Sequence, residues 1–537
     1  MEAGALEEKR SIAGWLALLV CVLVLQWAGG AWRADFAGHP DEAGHAVTGL
    51  MVRDYVAAGF PADPMGWARI YYSHYPKIAL GHWPPLFYVL EGAWLLIFPP
   101  SRIALMVFAA LWAATLAWLV QFEARRWMGA VWAWSAALVL VTLPEIQTSF
   151  GATMSDVACV AFQFAACLVL IRYLEAPSAR RAALFGTLAG GAFLIKQSAL
   201  PLAAVPLISV LMLRQPRAIL NWRLWLGAGV TAVVAGPWYL FERMLMPGID
   251  WGIWAGTRSG RVAFFIPRID SVLGWPLMLA ALVGIVWSLC RPRPAAAVMA
   301  ALAVCTVALP FYVRAMQEPR HLMAACPAAV LLAAWALRDM LAAPRLQRAA
   351  PWVTAAALLV HSAATVRLAV QPELGLGRVA AQFAASDSLR QARMLISGSP
   401  QAEGSFITST ALAAGGQLRE CVRADKLLAE STWRGDGYRP LVSTPAAVID
   451  RIDQMGIDIV VAQRRAHSRP HEQLLLQAFS PPPPGWRGLD PVGNRELYVF
   501  VREKMSVNRP RLEVDPSQMR FGGKGRHADR EATQPDR

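Results

Sequence analysis

From residue 12 to residue 369 the chain alternates long apolar runs with short polar interruptions. A bilayer core of about 30 Å takes roughly 20 helical residues. Eleven runs approach that length: 12–31, 102–122, 128–143, 153–172, 182–195, 198–213, 223–245, 270–289, 294–312, 321–338 and 350–369. They predict a mostly α, polytopic membrane protein with eleven crossings, or twelve if one further segment counts. That segment is "PPLFYVLEGAWLLIF" (84–98), which is short, carries Glu91 and is bounded by proline pairs. As a full span it would reverse the orientation of everything after it, so it reads as an interfacial or partly inserted helix.

The interruptions set the orientation. "EARR" (123–126), Arg172 with Arg180 and Arg181, "RQPRAILNWR" (214–223), "RPR" (291–293) and "RDMLAAPRLQR" (338–348) alternate with less basic loops. Loops dense in Lys and Arg stay on the cytoplasmic side. The other side then receives residues 32–83, "LPEIQTSFGATMSD" (143–156), Lys196, the 246–268 loop, "RAMQEPRH" (314–321) and all that follows residue 370. The first run is too long for a signal-peptide core and lacks a clear cleavage site, so it is a retained span.

After residue 370 the period changes. "ARMLIS", "IDIVVAQ" and "ELYVFVRE" read as strands, and "TPAAVIDRIDQMG" between them as a helix. Residues 371–504 are thus expected to form a small extracytoplasmic α/β domain beside a membrane domain of residues 1–370. Residues 505–537, rich in Gly, Pro and charge, are expected to be a disordered tail.

Composition agrees: the chain is 56% hydrophobic and 16% charged, whereas soluble domains run nearer to about 45–50% and about 25%. The net charge of +14 is explained by the orienting loops and calls for no nucleic acid. The seven cysteines form no CxxC or Cys/His pattern, which excludes a disulfide framework and a zinc cluster. No P-loop or dinucleotide-binding fingerprint is present.

The chemistry concentrates in "GHPDEAGHA" (38–46). Asp41 follows a proline and precedes a helical pattern, so one reading makes Asp41 the N-cap and Glu42 a first-turn acid favoured by the helix dipole. The other makes them catalytic, because a further acid, Asp156, begins a span, where an ionisable residue is a functional candidate by default. Glu42 and His45 have the i,i+3 spacing of a ligating pair, and His39 adds a third candidate ligand. With carboxylates present, a hard divalent ion, Mg²⁺ or Mn²⁺, suits the set better than zinc. Lys196, Arg320 and His321 sit at the same membrane face. They either snorkel to the interface or form an anion site for a lipid-linked phosphate.

Taken in order, the acidic pair after the first span, "HWPPL" (82–86), "SRIALMVFAALWAATLAWLV" (101–120), "GATMSDVA" (151–158), "GAFLIKQSALPL" (191–202) and "RHLMAACPAAVLLA" (320–333) resemble the dolichyl-phosphate-mannose–protein mannosyltransferase superfamily. The likeness is to its bacterial branch, with the lipid A aminoarabinose transferases, and covers about residues 10–340. It implies a GT-C fold in the bacterial inner membrane. It also implies transfer of one sugar from a polyprenyl phosphate to a lipid, glycan or protein acceptor, with inversion, at the extracytoplasmic face. On this resemblance Asp41 is the base, with Glu42 beside it and Asp156 as the second acid. Lys196 and Arg320, with His321, bind the donor phosphate, and His82 contacts substrate. "HWPP" stands where many relatives have Lys-Pro-Pro. Two other classes compete: a lipid or polysaccharide transporter, and a non-catalytic envelope assembly protein.

Overall fold

The computed structural model describes residues 2–78, 81–245, 258–311, 313, 318–342, 348, 350–365, 367–431, 437–464, 469–490, 496–506, 509, 510 and 512. Nine helices open the chain: α1 (Glu2–Ala28), α2 (Glu42–Ala57), α3 (Pro64–His74), α4 (Leu86–Ile97), α5 (Arg102–Met128), α6 (Ala130–Thr142), α7 (Pro144–Phe150), α8 (Asp156–Glu175) and α9 (Ala179–Ile195). Helices over Val205–Met212, Trp222–Leu245, Arg258–Leu273, Trp275–Cys290, Pro294–Ala308, Ala325–Leu341 and Ala350–Thr365 complete the apolar part.

Among the described residues, five helices are long and apolar enough to cross a membrane, or seven if two bent pairs each count as one span. The other expected crossings fall on shorter helices, and proline or glycine breaks some of those runs. Run 128–143 stops at Leu143, where α6 and α7 meet at 67° before Pro144. Run 270–289 is broken by Gly274, whose φ of +73° suits a residue without a Cβ, and the flanking helices diverge by 98°. Segment 84–98 forms the short α4, which packs against α2.

Close approach of small residues joins several helices. Gly186 and Gly190 of α9 meet helix Trp222–Leu245 so tightly that a Cβ on Gly186 would lie 2.4 Å from the Gly227 carbonyl oxygen. Spaced four apart on one face, they form the small-residue seam by which helices in lipid pack. At one end of the bundle Glu123, Arg126, Arg172 and Glu175 form an ion cluster tying α5 to α8. The other ends of α5 and α8 hold the candidate site.

The strands are β1 (Met394–Ser397), β2 (Cys421–Arg423), β3 (Ala429–Glu430), β4 (Arg439–Pro440), β5 (Ile459–Gln463), β6 (Trp486–Leu489) and β7 (Leu497–Arg502). Five form a sheet in the order β2-β1-β5-β7-β6, with β1 parallel to β2 and β5, and β7 antiparallel to its neighbours. The three strands expected from pattern are β1, β5 and β7. Arg509 and Pro510, expected in a disordered tail, are instead tied to this domain. Arg509 pairs with Asp458 at 2.7 Å, and Arg393 donates to the Pro510 carbonyl at 2.9 Å. Residues 513–537 lie outside the described residues.

This domain shares its core with the segment after α1. Ala43, Ala46, Val47 and Leu50 of α2 and Tyr71 and Tyr75 pack with Met394, Ile396, Phe406, Ile407 and Val461. Helix Pro400–Ala413 lies on α2: a Cβ on Gly404 would stand 2.8 Å from that of Ala43. Thr408 Oγ1 donates to the Ala43 carbonyl at 3.1 Å, and the Phe36 amide donates to Ser405 Oγ at 3.0 Å. Lys77, buried in the joint, donates to the Pro400 carbonyl at 3.3 Å.

Candidate active site

Four segments deliver ionisable side chains to one end of the bundle: Asp41 before α2, Asp156 as the first residue of α8, Lys196 just beyond α9, and Arg320 in the 3-10 turn Pro319–Leu322. Lys196 Nζ lies 2.7 Å from both carboxylate oxygens of Asp156, and both residues are buried. Arg320 Nη2 donates to Asp41 at 2.7 Å, its Nε lies 2.6 Å from Glu318, and its Nη1 stands 3.9 Å from Asp156. Nη1 makes no hydrogen bond among the described residues.

Asp41 occupies the N-cap position, but its backbone is already helical and its side chain caps nothing. The capping reading therefore fails: the carboxylate is turned to Arg320. Burial would raise the Asp41 carboxyl, but Arg320, with His39 and His45, outweighs it and holds the group well below the usual carboxylate range. Burial works against the Arg320 charge, yet Asp156, Asp41 and Glu318 together hold its pKa above the ordinary value. Glu318 is lowered to about 2, first by its hydrogen bond with His39.

Glu42 does not join them. It is fully buried, and its oxygens accept from Arg102 at 2.5 Å, the Gly38 amide at 2.9 Å and the Thr153 amide at 3.2 Å. It braces the loop against α5. The expected ligand set of His39, Glu42 and His45 is not assembled either. His39 Nδ1 accepts from the Asp41 amide, and its Nε2 faces Glu318 at 3.3 Å. His45 turns to Tyr88. No cluster of three His, Cys, Asp or Glu suited to a metal exists among the described residues.

His82 is placed beside the centre through its backbone: Gln197, next to Lys196, donates to its carbonyl at 2.9 Å. His321 Nδ1 accepts from the Glu318 amide at 3.2 Å and so closes the turn that presents Arg320. Arg102, Glu318 and Tyr88 were not singled out from sequence. Arg102 has the weak signal of a cation at a span's first residue, Glu318 that of an acid two places before Arg320. Tyr88 has none, being one aromatic in an apolar run.

This architecture defines a class: a multi-pass membrane protein with the GT-C fold, its charged centre at one end of the bundle and a small α/β domain packed against α2. Within that class, residues 82–241 match the family model of the dolichyl-phosphate-mannose-protein mannosyltransferases. The chain is similar in fold to the crystal structure of ArnT from Cupriavidus metallidurans bound to undecaprenyl phosphate. The identity is 17%, the TM-score is 0.54, and the match covers 93% of this chain and 99% of that one. It is also similar to the Archaeoglobus fulgidus oligosaccharyltransferase tethered with an acceptor peptide containing the NVT sequon. There the identity is 13%, the TM-score is 0.51, and 84% and 69% of the two chains are covered. No curated protein sequence matches the chain.

Proposed function

We propose that this protein transfers a single sugar from a polyprenyl-phosphate donor to a lipid, glycan or protein acceptor at the extracytoplasmic face of the bacterial inner membrane, with inversion at the anomeric carbon. The observation that carries the reading is the convergence of Asp41, Asp156, Lys196 and Arg320 from four separate segments at one end of an apolar bundle. The match of residues 82–241 to a mannosyltransferase family supports transferase activity. The similar ArnT structure holds undecaprenyl phosphate.

Asp41 takes the proton of the acceptor hydroxyl. The acceptor oxygen attacks the anomeric carbon from the side opposite the phosphate. The bond from carbon to phosphate oxygen breaks, and the departing polyprenyl phosphate keeps the electron pair. Negative charge grows on that oxygen, where fixed cations lower the barrier. Arg320 has an N–H to offer through Nη1, and Asp156 holds Lys196 beside it. Asp41 paired to Arg320 is a weak base. A phosphate that draws Arg320 to itself loosens that pair and makes Asp41 more basic, so donor binding prepares the base.

A divalent ion does not fit the residues present. Glu42 is committed to Arg102, and Asp41 and Asp156 already carry their cations. No step is routed through a metal. Bent helix pairs also suit a transporter, but transporters place ionisable groups near mid-membrane, whereas these lie at one end. The test is mass spectrometry of lipids, glycans and proteins from cells with and without the gene. A glycan lost with the gene, and free polyprenyl phosphate released by purified protein, are expected. An unchanged glycan profile with displaced lipid would favour transport.

A further inference from the structure

His45 lies one helical turn beyond Asp41, its amide bonded to the Asp41 carbonyl at 2.9 Å. Its side chain is fully buried. The ring stacks on Trp83 with centroids 4.1 Å apart, and Nδ1 lies 2.7 Å from the Tyr88 hydroxyl. Its other nitrogen, Nε2, is buried and makes no hydrogen bond among the described residues. Buried polar groups are nearly always paired, and an exception calls for an explanation.

The Tyr88 contact fixes which nitrogen carries the proton. The Tyr88 hydroxyl has His45 as its hydrogen-bond partner. If Tyr88 donates to Nδ1, both of those atoms are satisfied and the imidazole proton sits on Nε2. The reverse arrangement would strand the Tyr88 hydrogen as well as Nε2, leaving two unsatisfied groups instead of one. Nε2–H is therefore a donor with no acceptor among the described residues. Asp41, one turn before His45, pairs with Arg320 at 2.7 Å, and Arg320 in turn stands 3.9 Å from Asp156, which holds Lys196. A protonated Nε2 also offers no lone pair to a metal.

We propose that His45 Nε2–H binds a phosphate oxygen of the polyprenyl donor, as a neutral third donor beside Lys196 and Arg320. The inference rests on the glycosyltransferase reading. A neutral donor adds a directed hydrogen bond without a further positive charge on Asp41. Trp83 and Tyr88 are positioning residues: they hold the ring plane and its tautomer.

The probe is polyprenyl monophosphate added to the purified full-length protein, with binding read by calorimetry or by inhibition of transfer. His45→Leu is expected to weaken its binding by roughly tenfold to a hundredfold, the range for a hydrogen bond to a charged group. His45→Gln, whose amide nitrogen reaches about as far as Nε2, recovers most of the loss. Tyr88→Phe, which frees the tautomer, gives a smaller loss of binding than His45→Leu. Wild-type affinity in His45→Leu would overturn the inference alone. So would a loss that His45→Gln fails to recover. Failure of the wild-type protein to bind polyprenyl monophosphate would instead remove the glycosyltransferase reading, and this inference with it.

Discussion

Asp41 and Arg320 stand 279 positions apart in the chain and 2.7 Å apart in space. That pair joins the loop after the first span to the turn before helix Ala325–Leu341, and it holds the carboxylate proposed as the base. Asp41→Asn keeps the shape, and no cap is lost because the side chain caps nothing. Transfer is expected to fall by roughly 10²–10⁴-fold, the range for loss of a general base. Protein level and donor binding should persist. Near-normal transfer by the purified variant would show that the base lies elsewhere.

Lys196 and Asp156 form a buried pair, and removing one partner of such a pair costs roughly 3–5 kcal/mol. Arg320 Nη1, 3.9 Å away, offsets part of that. Lys196→Met should therefore lower the melting temperature in detergent as well as donor affinity. Adding Asp156→Asn should return much of the stability and none of the affinity. Strictly additive stability losses would mean the two side chains do not depend on each other.

How much of this was legible in the sequence depended on contrast. Asp156, Lys196 and Arg320 stood out because each charge interrupts or borders an apolar run, where an unpaired ion is costly. Arg102 borders a run too, but a cation at a span's end is ordinary, so nothing marked it as the partner of Glu42. The spacing of Glu42 and His45 was real, yet i,i+3 fixes only a shared helix face. It does not say that one side chain turns to α5 and the other to Tyr88. Strands β1, β5 and β7 are apolar runs and could be read; β2, β3 and β4 are two or three residues long and carry no period. Arg509 looked disordered by composition, and its partners, the buried Asp458 and the Gln391 carbonyl, lie too far off in sequence to be read from it.

Stability should depend on acid through histidines lowered by burial. Burial holds His45 and His321 down to about 3 and His471 down to about 4, against an ordinary value of 6.5. A histidine lowered in the folded state binds protons more readily when unfolded, so stability falls as pH drops below about 6.5. Melting temperatures measured from pH 7.5 to pH 4.5 should decline. The decline should be shallower in the variant carrying His45→Gln and His471→Gln. Equal slopes would refute this account.

The Lys/Arg density of the loops predicts the topology proposed above. Single-cysteine labelling in a cysteine-free background should reach position 180 from the cytoplasmic side and position 430 from the other. Both are exposed. Labelling of both from one side would invert or break the proposed orientation.

Purified protein should carry substoichiometric metal, since no histidine–carboxylate cluster is formed among the described residues. Chelation should leave transfer near normal, whereas Arg320→Ala should lower it. Tightly held zinc that disappears with His45→Ala would contradict this.

Helix α2, which follows Asp41 and carries His45, is walled by helix Pro400–Ala413, and the amide of Phe36 waits for the hydroxyl of Ser405. During synthesis those partners leave the ribosome some 360 residues after the segment they complete. Until then the helix that presents the base has one bare apolar side. A half-made chain thus has its membrane helices but no finished first loop, and Asp41 gains its packed surroundings only when the last domain has folded against that loop.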